Sequence, residues 1–203
     1  MKARKILVSL AALALVAAIS IGGTIAYLTS TDKVENSFTV GKVAITLDEA
    51  QVNTDGTAVA PAARVKANTY KLMPGHPYTK DPTVHVDADS EDSWIFVKVE
   101  NGISDIEAAE ATGENAYTPI AKQITNNGWT QLDGKTNIYY KKYTAGTTDK
   151  DLVVFGNFKI ADNAQDISGW GAAANAKITV TAYAVQADGF TTAKAAWDAT
   201  FGA

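Results

Sequence analysis

The sequence predicts an all-β protein: a jelly-roll-like antiparallel β-sandwich with a few short peripheral helices. Three observations carry that expectation. Apolar residues alternate with polar ones at the two-residue period of half-buried strands. Turn signals such as Asp133-Gly134 and Asp188-Gly189 separate the runs. Helical spacing is confined to brief stretches, and no repeat of fixed period is visible.

In chain order, Val43, Ile45 and Leu47 alternate with Lys42, Ala44, Thr46 and Asp48 as a half-buried strand. Phe38 and Val40 lie on the opposite parity, so Gly41 at the phase change marks a bulge or a tight bend. Residues 53–68, polar and Ala-rich around Pro61, read as a mobile excursion between strands. Strands are expected at 83–87, at 93–100 through Trp94, Ile95, Phe96, Val97 and Val99, and at 151–160. Asp133-Gly134-Lys135-Thr136 joins Trp129–Leu132 to Asn137–Tyr143 as a hairpin. The clearest alternation runs over 177–186. Ile178, Val180, Ala182 and Ala184 share one face there, and Thr179, Thr181 and Tyr183 the other. Three helices are expected. Ser104-Asp105-Ile106-Glu107 has capping-box spacing, with Gly113 as the stop. Thr118-Pro119 opens the second, which ends near Asn126-Asn127-Gly128. Phe190, Lys194, Trp197 and Phe201 recur at helical spacing before Gly202, as a helix docked on the sheet.

Ahead of this domain, Lys2, Arg4 and Lys5 precede an apolar run from Ile6 to Ile21 and the exit Gly22-Gly23-Thr24-Ile25-Ala26. A charged start, an apolar middle and small residues at the exit make residues 1–26 a secretory signal peptide, cut between Ala26 and Tyr27. A retained anchor is the alternative, because the run is long enough to span a bilayer. The Gly-Gly break and the small residues Thr24 and Ala26 favour cleavage. The expected location is extracellular or cell-surface associated. Loss of Lys2, Arg4 and Lys5 takes the net charge from −4 to about −7. Such a chain, with scattered lysines, offers no electrostatic footprint for nucleic acid or anionic lipid. There is no cysteine. Thiol catalysis, thiolate metal sites and disulfides are therefore excluded, and one sizeable core must hold the domain. The carboxyl end shows neither a Pro-type sorting motif nor an apolar tail, so wall attachment is not expected.

The chemistry-bearing residues are sparse. His76 and His85 belong to no His-Glu-x-x-His motif, and His85 between Val84 and Val86 is read as pointing to solvent. Asp87-Ala88-Asp89-Ser90-Glu91-Asp92 begins like a calcium loop. Asp92 stands where glycine is required, however, and Lys98 stands where the closing glutamate belongs. His76, His85, Asp87 and Asp89 are thus weak metal candidates. No cofactor is predicted, with calcium or zinc as unsupported alternatives. No Gly-x-Ser-x-Gly, phosphate-binding loop or Ser-x-x-Lys occurs, and no catalytic residue is assigned. Trp94, Trp129, Trp170 and Trp197 suit either a sugar platform or buried anchors.

The leader boundary carries a resemblance. Gly22-Gly23-Thr24-Ile25-Ala26-Tyr27-Leu28-Thr29-Ser30-Thr31-Asp32, Asn36-Ser37-Phe38-Thr39-Val40-Gly41 and Val43-Ala44-Ile45-Thr46-Leu47 resemble the TasA/camelysin family. Shorter blocks at Lys71-Leu72-Met73-Pro74-Gly75, Lys80-Asp81-Pro82-Thr83-Val84, Trp94-Ile95-Phe96-Val97-Lys98-Val99 and Ala182-Tyr183-Ala184-Val185-Gln186 extend it. The Tyr139-Tyr140 hairpin and the following Ala187-Asp188-Gly189-Phe190 belong to the same likeness. The resemblance implies export in a Gram-positive bacterium, with leader removal by a SipW-type signal peptidase. It further implies a jelly-roll subunit of extracellular or biofilm-matrix fibres, partnered by other copies of itself head to tail. On this likeness residues 27–38, with Tyr27, Leu28, Val34 and Phe38, form a donor strand inserted into the next subunit. Leu28, Val34 and Phe38 share one parity, while Ser30, Asp32 and Asn36 on that parity weaken the pattern. A flexible linker is the alternative for this segment. A camelysin-like metallo-endopeptidase and a surface adhesin or sugar-binding module are the alternative functions.

Overall fold

The computed structural model describes residues 41–164 and 177–202. The leader, the cleavage pair Ala26 and Tyr27, the donor-strand residues Leu28, Val34 and Phe38, and Trp170 lie outside the described residues. So does the Phe38–Val40 side of the expected bend at Gly41.

Among the described residues, ten strands and two α-helices follow in order, with one short 3-10 helix at Gly113–Asn115. They are β1 (Ile45–Ala50), β2 (Arg64–Val65), β3 (Pro77–Thr79), β4 (Thr83–Val86), β5 (Ser93–Asn101), α1 (Ile120–Asn126), β6 (Thr130–Gln131), β7 (Ile138–Tyr143), β8 (Asp151–Val153), β9 (Asn157–Lys159), β10 (Ile178–Gln186) and α2 (Ala193–Phe201). Every strand pairing is antiparallel. One sheet has the order β2-β1-β4-β8 and the other β10-β5-β7-β6, with β3-β9 as a separate ribbon. The protein is an all-β sandwich.

Period-two alternation explains how the layers meet. Val84, Val86 and Leu152 from the first sheet join Ile95, Val97, Val99, Tyr139 and Tyr143 from the second in one core. The β3-β9 ribbon closes one end, where Tyr78 stacks on Phe158 with ring centroids 4.8 Å apart. Tyr70 meets both rings edge-on, at 5.7 and 5.1 Å. On the far side of the second sheet, α2 buries Ala193, Ala196 and Trp197 against Phe96, Leu132 and Ile138. Both faces of β5 are therefore covered over its first half, where Trp94 to Val97 read as a continuous apolar run. Thr192 caps α2 by accepting from Ala195 N at 3.1 Å. The expected helix through Lys194, Trp197 and Phe201 forms over Ala193–Phe201, with Phe190 left in the turn before it, and the hairpin around Asp133-Gly134 forms as well. Gly134 takes the positive φ that its turn needs.

Three expectations are corrected. Residues 104–112 form a turn and two isolated bridges, Glu107 with Ile160 and Ala111 with Tyr117, rather than a helix, and Gly113 opens a short 3-10 helix (Gly113–Asn115) instead of ending one. The Glu107 carboxylate, expected to fold back on Ser104, instead accepts from Asn101 Nδ2, Tyr117 OH and Ile120 N at 2.8, 2.6 and 2.7 Å. It thereby caps α1, whose preceding residue Pro119 has no side-chain cap to offer. The strand expected over 151–160 is two strands, β8 and β9, which serve different sheets. Between them Val154 and Phe155 are fully buried and Gly156 makes the corner. Residues 53–68 are not a free excursion: β2 pairs with β1, Val52 bridges Ala58, and Gln51 N bonds Ala63 O at 2.8 Å.

Candidate functional site

The first candidate is an open rim of the sandwich. β10 is nine residues long and, among the described residues, pairs only with β5. Its core-facing Ile178, Val180, Ala182 and Ala184 are only partly buried, whereas Ile95 and Val97 on the neighbouring strand are 0 % exposed. Across the core lies β1, in contact with β10. β2 covers only Glu49 and Ala50 of β1, so Ile45 to Asp48 pair on one side alone among the described residues. Ile45 and Leu47 are likewise only partly buried. Among the described residues, these two edges without a full strand partner thus flank a line of six half-covered apolar side chains. The β1 side is partly occupied, since Leu47 O accepts from Lys66 Nζ at 2.6 Å and Asp48 O from Arg64 Nη2 at 3.1 Å, so β10 is the edge whose backbone N–H and C=O groups an extended segment can best pair with.

The second candidate lies on the outer face of the β2-β1-β4-β8 sheet. Asp48, His85 and Asp151 point outward from β1, β4 and β8, because Leu47, Val84, Val86 and Leu152 point inward. His85 Nδ1 is 2.6 Å from Asp151 Oδ1 and Nε2 is 2.8 Å from Asp48 Oδ1. Arg64 donates from Nε to Asp48 at 2.6 Å and from Nη1 to Asp81 at 2.7 Å. Burial alone would lower the His85 pKa. The hydrogen bonds to Asp151 and Asp48, and the charges behind them, outweigh it and hold the imidazole above its ordinary range. Asp48 is the mirror case: burial pushes it up, but its bonds to His85 and Arg64 hold it below the usual carboxylate range. His85 thus lies on the outward face that its alternation with Val84 and Val86 predicts, its side chain 31 % exposed, and what the sequence did not indicate is that Asp48 and Asp151 hold it there.

The remaining candidates disperse. His76 Nε2 contacts Asp55 O at 2.8 Å and its ring packs against Tyr78. Asp87 pairs with Lys42 at 2.6 Å and accepts from Asp89 N in its own turn. Among the described residues no group of three or more His, Asp or Glu is arranged to hold a metal ion. Trp129 and Trp197 are buried anchors, and Trp129 Nε1 donates to Val153 O at 2.8 Å. Neither presents the open face that a sugar platform needs. Trp94 is half-buried with Lys142 Nζ 5.5 Å from its ring. A cleft of about 550 Å³ opens beside α1, lined by Thr118, Gln123, Asn127 and Asn157 among others. Its amides are engaged internally, Gln123 with Thr118 O and Gly156 N, and Asn127 with Val154 O.

Sequence reasoning missed one group altogether. Glu49 is buried on the inward side of β1, ion-paired with Lys80 and bonded by Asn68 Nδ2 at 3.0 Å. The signal was present, because Glu49 continues the inward parity of Ile45 and Leu47, and a carboxylate there requires buried partners. Among the described residues no helix is long and apolar enough to cross a membrane. No family model, curated protein or solved structure matches the chain.

Proposed function

We propose that the protein is a secreted structural subunit of extracellular fibres, assembled when residues 27–38 of one copy complete the open rim of the next. The observation that carries this reading is the pair of edges, on β1 and β10, that lack a strand partner among the described residues and lie above half-buried apolar residues. Leu28, Val34 and Phe38 share the parity needed to cover that line, and burying each contributes roughly 1.5–3 kcal/mol. The backbone of the added strand satisfies the N–H and C=O groups of β10 that have no strand partner among the described residues. Donor and acceptor are different surfaces of one chain, so the contact is head-to-tail and grows without closing. A jelly-roll order for the completed sandwich, export through the leader and its removal by a SipW-type peptidase belong to the same proposal, supported by the family resemblance of residues 22–47.

Negative-stain electron microscopy of two purified chains tests it. Residues 27–203 are expected to form filaments and residues 39–203 to stay monomeric. Monodisperse monomers from both chains at every concentration would defeat the proposal.

A further inference from the structure

We propose that Lys80 and Asn68 are joined by an intramolecular isopeptide bond formed by the folded chain itself, with Glu49 carrying the protons. This inference is independent of fibre assembly. It starts from a triad gathered around one buried carboxylate, with Asn68 and Lys80 half-buried beside it. Glu49 sits on the core side of β1 and is 4 % exposed; the Lys80 side chain, just after β3, is 10 % exposed. One carboxylate oxygen of Glu49 holds Lys80 Nζ, and the other accepts from Asn68 Nδ2 at 3.0 Å. Amine and carboxamide are thus neighbours across a single carboxylate.

The surroundings suit amide exchange. Asn68 is fixed on both ends, its Oδ1 accepting from Val52 N at 3.0 Å and its Nδ2 donating to Ala50 O at 2.8 Å. The Val52 N–H points at the oxygen on which negative charge would develop during attack, which is the placement an oxyanion donor needs. Tyr70 donates to Thr79 O at 3.0 Å beside the triad, and its ring with Tyr78 and Phe158 forms an aromatic wall. Burial and then the Glu49 charge push the Tyr70 hydroxyl well above its ordinary range, so it stays neutral. Folding supplies the proximity that makes such an exchange effectively unimolecular.

The step balances without a co-reactant. The Lys80 ammonium gives one proton to Glu49, and the freed lone pair attacks Asn68 Cγ. The new Nζ–Cγ bond forms a tetrahedral centre, and Glu49 relays protons to Nδ2. The Cγ–Nδ2 bond breaks and Nδ2 leaves as ammonium. One lysine ammonium and one carboxamide become one secondary amide and one ammonium ion, with no change in net charge. Glu49 ends as it began, and the secondary amide N–H can donate to it. The bond closes the segment between Asn68 and Lys80, which carries Tyr70 and Tyr78 into the core, as a covalent ring.

Intact-mass spectrometry of the purified full chain, followed by peptide mapping, tests it. The expected wild-type chain is lighter than its sequence by one ammonia and yields a branched peptide joining Asn68 to Lys80. Lys80→Arg, which keeps the cation beside Glu49, and Glu49→Gln are expected at full mass with two separate peptides. Full mass in the folded wild type after prolonged incubation overturns the proposal. So does ammonia loss that maps elsewhere or persists in Lys80→Arg. Should Glu49→Gln fail to fold, the wild type and Lys80→Arg still decide.

Discussion

At the scale of single residues, His85 is the group whose charge the fold most clearly manages. Its folded pKa is raised, so the stability it contributes is fully present below its ordinary value of 6.5 and fades as pH climbs through the folded value. Asp48 works in the opposite sense. Its pKa is depressed, so its contribution is present above 3.8 and is lost as pH falls through the folded value. Both act together between those limits. His85→Gln is expected to cost on the order of 0.5–1 kcal/mol near pH 5, a modest figure because Asp151 is largely exposed, and less near pH 9. Urea unfolding at the two pH values measures the difference, and an equal loss at both would remove the imidazolium charge from the account. Deep in the core the scale of effects changes. Ile95→Ala removes packing from a fully buried position between the sheets and is expected to cost about 2–5 kcal/mol in the same assay.

Elements were legible in proportion to how locally their partners lie. β5, β10, α1 and α2 read out of the sequence because periodicity, turn glycines and caps act over a few residues. The region after Ser104 did not, because its apparent capping-box glutamate is claimed by Tyr117 and Ile120 farther along the chain. Glu107→Ala is therefore expected to loosen the start of α1, costing about 1–3 kcal/mol and lowering hydrogen-exchange protection at Ile120. Unchanged protection there would show that Glu107 is not its cap. The 151–160 segment was misread for a related reason. An apolar run is compatible with one strand or with two strands meeting at a buried corner, and only the Val154–Phe155 packing decides. The loop before β2 hid a turn of the same kind. Gly56 has φ of +80°, and a Cβ there would lie 2.8 Å from Tyr78 Cα. Gly56→Ala is expected to lower the melting temperature through both strain and clash, by about 1–3 kcal/mol of stability.

For the whole molecule, the layered sandwich was visible in the alternation of its strands, while its sites were not. Asp48, Arg64, His85 and Asp151 come from four different strands of one sheet, so no spacing along the chain announces them. The open rim was equally silent, since an unpaired edge is a property of the finished sheet order. Val180→Lys places a charge on that rim at a half-buried position. The expected result is a folded monomer, seen by circular dichroism, that no longer forms filaments under the microscope; filaments of normal length would place the acceptor surface elsewhere. One asymmetry extends further. The β10-β5-β7-β6 sheet is roofed by α2, while the β2-β1-β4-β8 sheet wears the aspartates, Arg64 and His85 on its bare side. The two flanks therefore carry different charges, a histidine network that answers to protons on one and lysine–carboxylate pairs such as Lys194–Asp198 on the other, with dissolved salt screening both.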